Sequence, residues 1–483
     1  MNLRKNEGIT LIALIITVIV MLILATVAIG SIRNGLLDKV KQATDEYNSS
    51  VNTEGDIINN AIDWLDIASG GNTGGTTIVS DGSWNGTIDT PILVAGMTAV
   101  AWDNSGDEIT PKTESDWYDY ANNKWANAKT ADGSYWVWIP RYEYKIDYTG
   151  VEQGVNTDKT KAGKIDVRFI DINTKSGSSG YATDLSGITR SSDGYIIHPA
   201  FTNGASDGFA NGEWDSEIPG FWVAKFIMSM ENDTGANVNT LSDTIGNVAL
   251  SSTIKAVSKP GAIAWTNINI ANCYENSLDY GNGISHSEYN SHLEKNSEWG
   301  AVAYLTHSQY GRNGIEVTIN NNSSRITGGG TGEAYATNTN QSSTGNVSGI
   351  YDLSGCAYEY VAAFNKAYSG TYYTGVNYLS ANGITFASTN GNSTKYATAH
   401  SNSTTTSTAT TLAYFTSIGG VTVDVSHVGD GIREAWVSSY YGWFSDYSNF
   451  AYSSSPFYTR GGTYSNSANA GVFCTSYSDR WFG

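Results

Sequence analysis

Charge is scarce in this chain, and one sign of it dominates. Of 483 residues, 15% are Asp, Glu, Lys or Arg; 27 are basic and 46 acidic, for a formal charge of −19. No basic stripe interrupts that balance, which argues against nucleic-acid phosphates as partners and suits divalent cations instead. Paired cysteines are lacking too. Cys273, Cys356 and Cys474 lie far apart with no CxxC spacing, so neither a thiolate zinc cage nor a dense disulfide framework follows. One disulfide would leave a thiol over; the simpler expectation is small apolar side chains in a core. The six histidines form no HExxH or Ser-His-Asp cue, and His198, beside Pro199, reads as a packed strand-end residue. GGGTG, at 328–332, lacks the lysine of a phosphate loop and reads as a turn. No catalytic residue is expected, and the chain reads as a non-enzyme. What is present is 40% apolar and 12% aromatic residues, which excludes global disorder, with Ser, Thr, Asn and Gly carrying solubility. That balance suits a cell-surface protein.

The N-terminus carries its own signal. MNLRKNEG, residues 1–8, is short and basic, and residues 9–30 run ITLIALIITVIVMLILATVAIG without a charge. At ~1.5 Å per residue such a helix crosses a ~30 Å hydrocarbon layer. Arg4 and Lys5 would stay on the cytoplasmic side, sending the rest of the chain outward. An amphipathic stalk is expected over 31–67, a Gly/Ser/Thr linker over 68–83 and a single large domain over 84–483. The stretch Gly8-Ile9-Thr10-Leu11-Ile12-Ala13-Leu14 resembles the type IV prepilin family, over about the first thirty residues. The resemblance implies cleavage after Gly8 and methylation of Ile9 by a prepilin peptidase, with the membrane and other pilins as partners. Ala13 stands where the family carries a Glu that pairs with a neighbouring subunit, which points to a minor or tip subunit, or a plain anchor, rather than a major pilin.

The large domain reads as α+β with little helix: short aromatic or β-branched runs separated by Gly, Asn, Asp and Ser. SYWVWIPRYEYKI, YIIHPAF and GFWVAKFIM are the clearest strands, and WVWIPRY and GFWVAKF are expected to be the first core strands. One helix is expected in EKNSEWGAVAYLTHSQYG, capped by Asn296 or Ser297, with Trp299, Val302, Ala303 and Thr306 on one side. Three stretches, in order, resemble motifs of the formylglycine-generating enzyme (sulfatase-modifying factor) family: NSEWGAVAYL, GIYDLSGCAYEYVAAF and FYTRGGTY. That resemblance implies a C-type-lectin-like architecture of small antiparallel sheets, few helices and much ordered loop. It also implies a structural calcium held by Asp352, the carbonyls of Gly355 and Ala357, and Glu359, all hard oxygen donors. The family's copper-binding cysteines fall on Asn466 and Gly471, neither of which carries sulfur, so no copper is expected. The EPN and QPD tripeptides with which many C-type lectins hold sugars on calcium are absent.

The last 48 residues, 436–483, are nearly empty of Leu, Ile and Val. From Trp443 to Gly471 they read WFSDYSNFAYSSSPFYTRGGTYSNSANAG. Rings with interspersed Ser, Asn and Asp are the chemistry of antibody paratopes. A ligand face is therefore expected from Trp443, Phe444, Asp446, Tyr447, Asn449, Tyr452, Phe457, Tyr458, Tyr464 and Asn466, with Pro456 and Arg460-Gly461-Gly462 as framework. The pattern resembles the variable regions of diversity-generating retroelement target proteins, which implies codons diversified at adenines. Two readings follow. In one, the chain is an adhesin-like binding protein whose partner is a surface protein or glycan. In the other, it is a structural minor pilin or pseudopilin.

Overall fold

The computed structural model describes residues 88–94, 96–151, 158–175, 178–183, 189–203, 214–238, 247–280, 290–365, 395–400, 415–418, 421–424, 427–438, 440–451, 455 and 457–478. Gly8, Ile9, the apolar run, the stalk, the linker and Tyr452 lie outside them. Among the described residues no helix is long and apolar enough to cross a membrane. Apart from Lys112–Glu114, the described residues fall within one compact unit.

The fold is rich in sheet. Strands β1 (Met97–Trp102), β2 (Glu108–Ile109), β3 (Asn127–Thr130), β4 (Tyr135–Pro140) and β10 (Gly220–Ala224) form a sheet ordered β10-β4-β3-β1-β2. Both expected strands are there, though β1 and β3 precede them, and they pair: Trp222 lies opposite Trp138 in antiparallel register. SYWVWIPRYEYKI makes two strands, because Pro140 ends β4 and Arg141 turns the chain into β5 (Tyr142–Asp147). Arg141 is buried, donating to the carbonyls of Phe201 and Thr174 and pairing with Glu217 at 2.6 Å. β5 is flanked by β6 (Lys164–Phe169) and β9 (Ile196–Ile197). Two hairpin-like pairs follow: β7 (Tyr181–Thr183) with β8 (Thr189–Ser191), and β11 (Ser229–Asn232) with β12 (Ile254–Val257).

The C-terminal sheet has seven strands. It uses β13 (Glu359–Asn365), β14 (Thr398–His400), β17 (Trp436–Ser438), β18 (Tyr440–Gly442), β19 (Tyr447–Ser448), β20 (Phe457–Arg460) and β21 (Thr475–Ser478), in the order β14-β13-β20-β21-β19-β18-β17. A separate pair, β15 (Phe415–Ile418) and β16 (Val421–Asp424), completes the set. The expectation of small antiparallel sheets needs correcting, since β13 with β14 and β19 with β21 run parallel. Parallel neighbours require long crossovers, and here the chain leaves and returns between them.

Among the described residues there are three α-helices: α1 (Glu114–Trp117), α2 (Ile270–Leu278) and α3 (Asn296–His307). The cap of α3 is Lys295, not Asn296 or Ser297; the Glu298 carboxylate accepts from the Lys295 N–H at 2.8 Å. Nor has it one apolar side, for all twelve residues are buried. The helix packs on β4, β6 and β13, and at Gly300 a Cβ would stand 1.9 Å from the Gly429 carbonyl oxygen. Only glycine admits that approach. Around α3 the core is aromatic, and the hydroxyls find partners. Tyr142 donates to Ala301 O at 2.7 Å, and Tyr144 and Tyr304 both donate to the Glu434 carboxylate. His198 is buried against Tyr142, Tyr144 and Tyr304, its Nδ1 accepting from Ala200 N–H, as a packed strand-end residue should. The three cysteines are unbridged, Cys356 and Cys474 buried and Cys273 half-buried.

Candidate functional site

The ring-rich terminal stretch divides in two. Trp443, Phe457 and Tyr458 are all 0% exposed. The reason is strand position. β20 lies inside the seven-stranded sheet between β13 and β21, and its four residues are buried on both faces. Phe457 joins a cluster with Ile270, Tyr274, Tyr360 and Phe364. The Tyr458 ring lies 4.5 Å from that of His400, and Trp443 packs edge-on to Phe473 at 4.9 Å. Asp446 is buried as well. Its Oδ2 accepts from Phe473 N–H at 3.0 Å, and burial pushes its carboxyl well up. These four residues are core, and their assignment to a ligand face is corrected.

Phe444, Tyr447, Asn449, Tyr464 and Asn466 are half-buried and reach the surface. They are joined by rings that sequence reasoning missed. Tyr440 is 58% exposed and Tyr477 42%, two of the five exposed large hydrophobics among the described residues. Tyr440 pairs with Ser448 and Tyr441 with Tyr447, whose rings are 6.1 Å apart. Ser448 in turn pairs with Thr475, two residues before Tyr477. Strand spacing and rise then put the Tyr440 and Tyr477 backbones roughly 12 Å apart. Polar groups lie between and beside the rings: Tyr358 hydrogen-bonds Asn466 and Ser476, and Lys159 Nζ sits 3.6 Å over the Tyr441 ring. The alternating Thr-Ser-Tyr-Ser of β21 was the available signal for Tyr477, and Tyr440 and Tyr441 lie just ahead of the ring-rich window.

The YDLSGCAYE segment forms a tight loop, with positive φ at Asp352 (65°), Gly355 (89°) and Cys356 (57°). Asn320 and the Arg-Gly-Gly turn buttress it: Cys356 N–H donates to Asn320 O at 2.7 Å and Gly355 N–H to Gly461 O at 3.0 Å. Asp352 Oδ1 accepts from Asn320 Nδ2 and Gly328 N–H, both at 2.8 Å, while the buried Oδ2 has no partner. Burial pushes its carboxyl up to about 6. Burial, then Glu294 and Asp352, push Glu359 well up too. An orphaned buried oxygen beside a second uncompensated carboxylate fits a hard cation in kind. At Gly471 there is no room for a side chain, because a Cβ there would lie 2.0 Å from Asp446 Oδ1.

Glu359 also lines a cavity of about 440 Å³, walled by Trp136, Trp138, Trp222, Trp265 and Tyr280. Glu294, another residue sequence reasoning missed, lines it as well, with its Oε1 unpartnered. Burial, then the Glu298 charge, push Glu294 up to about 8. Burial opposes ionisation of Glu298 itself, but Lys295 and His292 beside it hold that carboxyl down at about 2. The chamber thus joins aromatic walls to carboxylates, of which Glu298 is paired with Lys295 and His292 and Glu294 is partly offset by Arg460. No protein-family model and no curated protein matches the chain.

Proposed function

We propose that this protein is a non-enzymatic surface-displayed binding protein. Its ligand face is the outward part of the C-terminal sheet: Tyr440, Tyr441, Tyr447, Tyr464 and Tyr477, with Phe444, Asn449 and Asn466. The observation that carries the reading is the exposure of Tyr440 and Tyr477 on neighbouring ground of one rigid sheet. Exposed rings on fixed backbone give contact area at low entropic cost. The prepilin-like leader, cut after Gly8, and the Ile9–Gly30 helix would anchor it, with a methylated Ile9 as the new N-terminus by mass spectrometry. The test is the full chain displayed on cells and probed with arrays of surface proteins and glycans. A bound partner should be lost, by more than about tenfold, in the Tyr440→Ala/Tyr477→Ala double variant. Binding that survives it, or no partner while pili lacking the chain fail to assemble, favours the structural pilin reading.

Calcium belongs to the proposal as a structural ion on Asp352, Gly355 O, Ala357 O and Glu359. Added Ca²⁺ should raise the melting temperature, and Asp352→Asn should abolish the rise. A second reading rests on the chamber, whose aromatic walls and carboxylates suit an organic cation. Tetramethylammonium should then quench its tryptophans, and Glu294→Gln should weaken that response.

A further inference from the structure

We propose that His400, His427 and Asp430 form a buried site for a divalent transition metal, with zinc as its natural occupant. The three come from two places: His400 from the end of β14, and His427 and Asp430 from the loop that precedes β17. All are nearly inaccessible, at 2%, 7% and 2% exposure, and one ligand atom from each lies within 4.8 Å of the others. Ligands about 2.1 Å from a tetrahedral ion stand roughly 3.4 Å from one another, so small side-chain rotations close the site. Two imidazoles and one carboxylate are a donor set for zinc or its transition-metal neighbours; calcium takes oxygen.

The surroundings set what ligation requires. The imidazoles of His400 and His427 stack at 3.9 Å, so the two rings are already side by side and must part before their in-plane nitrogens converge on one ion. The Asn296 amide lies 3.0 Å from His400 Nε2. Its Oδ1 accepts from Arg460 Nη1 at 3.4 Å, which holds Nδ2 toward His400, so an ion bound through Nε2 would displace that donor. Asp430 Oδ1 accepts from Ile432 N–H at 2.8 Å, which orients the carboxylate. Arg460 is the competing charge: its Nη1 donates to Asp430 O at 3.1 Å, and while burial disfavours its charged form, Asp430 and Glu294 favour it. Three protein ligands leave a fourth position for water.

The site's place in the chain assigns it a role. His400 and His427 lie either side of residues 401–426 in the sequence, so an ion between them ties together two points of the chain that are distant along it. The ion is structural, taken up on folding and slow to leave.

The untagged full chain, stripped by chelator and then loaded, tests this. Metal analysis should find one zinc per chain after dialysis, and Co²⁺ in its place should give the visible bands of a tetrahedral site. His427→Ala and the isosteric Asp430→Asn should each weaken Zn²⁺ binding by more than about 100-fold while leaving the Ca²⁺-dependent melting shift intact. Chelator should speed proteolysis between residues 401 and 426 in the wild type, and make no difference in His427→Ala. His292→Ala is the control for adventitious histidine binding. No retained zinc in the wild type, zinc retained equally by Asp430→Asn, or zinc lost in His292→Ala would each overturn the proposal and leave a stacked, hydrogen-bonded histidine pair.

Discussion

Two aromatic regions of this molecule use the same residues in opposite ways. In the first sheet, Trp136, Trp138 and Trp222 turn toward a chamber inside the fold. In the C-terminal sheet, Tyr440 and Tyr477 turn out to solvent while Phe457 and Tyr458, in the same sheet, do not. Composition alone does not separate these cases. What does is the cover over each position: all four residues of β20 are buried, whereas β18 and β21 each leave one tyrosine, Tyr440 and Tyr477, uncovered. A ring's role follows from how many layers lie over its strand, and side-chain chemistry comes second.

The largest effects should come from the buried class. Trp443→Ala and Tyr458→Ala should each cost about 3–5 kcal/mol in urea unfolding, because each leaves a ring-sized cavity in a closed core. In the first sheet the comparable position is Lys225. Its buried ammonium donates to Asn127 Oδ1 (2.9 Å), Val347 O (2.6 Å) and Gly349 O (2.8 Å), tying β10 to β3 and to the loop before Ile350. Lys225→Met strands three acceptors and should cost about 3 kcal/mol. A loss as small as that of a surface substitution at any of these positions would erase the division between the two kinds of ring.

Sequence patterns reached the elements whose signal is local. WVWIPRY and GFWVAKF pair as strands because β-branched and aromatic runs bounded by Pro and Gly can do little else. The helix at Asn296–His307 was legible, but its burial on every side was not, since Gly429, whose carbonyl approaches Gly300, is far away in sequence. The ring face was half legible for the same reason. Buried tyrosines need hydrogen-bond acceptors, and here Glu434 serves Tyr144 and Tyr304 together. That acceptor is 290 residues from Tyr144. His400, His427 and Asp430 carry no spacing motif, and only the fold brings them together.

An intermediate effect is expected from pH at the seam beside Trp443. His307 is buried against Trp443, Phe444 and Phe473, with its Nε2 3.1 Å from Gly163 O. Burial pushes its imidazole down to about 4 from 6.5. Between those values the unfolded chain takes up a proton that the folded chain refuses. Stability is therefore complete above pH 6.5 and falls as pH drops toward 4. In His307→Phe the slope of stability against pH in that window should shrink by one proton, about 1.4 kcal/mol per pH unit. Contributions common to both proteins, including the opposite one from Glu294, cancel in the difference. Equal slopes would mean that the ring titrates freely and that this seam is open.

The smallest effects on stability should fall at the outward rings, and that smallness sharpens the comparison. Tyr440→Ser and Tyr477→Ser remove side chains that are 58% and 42% exposed, so each should shift the unfolding free energy by no more than about 0.5 kcal/mol. Tyr441→Ser should cost slightly more, about 0.5–1 kcal/mol, because the Lys159 ammonium lies over its ring. The order Tyr458, then Tyr441, then Tyr440 and Tyr477 would then follow depth in one sheet while residue type stays fixed. If Tyr440→Ser proved as damaging as Tyr458→Ala, the exposed ring would be holding the fold together, and a face free to bind would have to be sought elsewhere on the molecule.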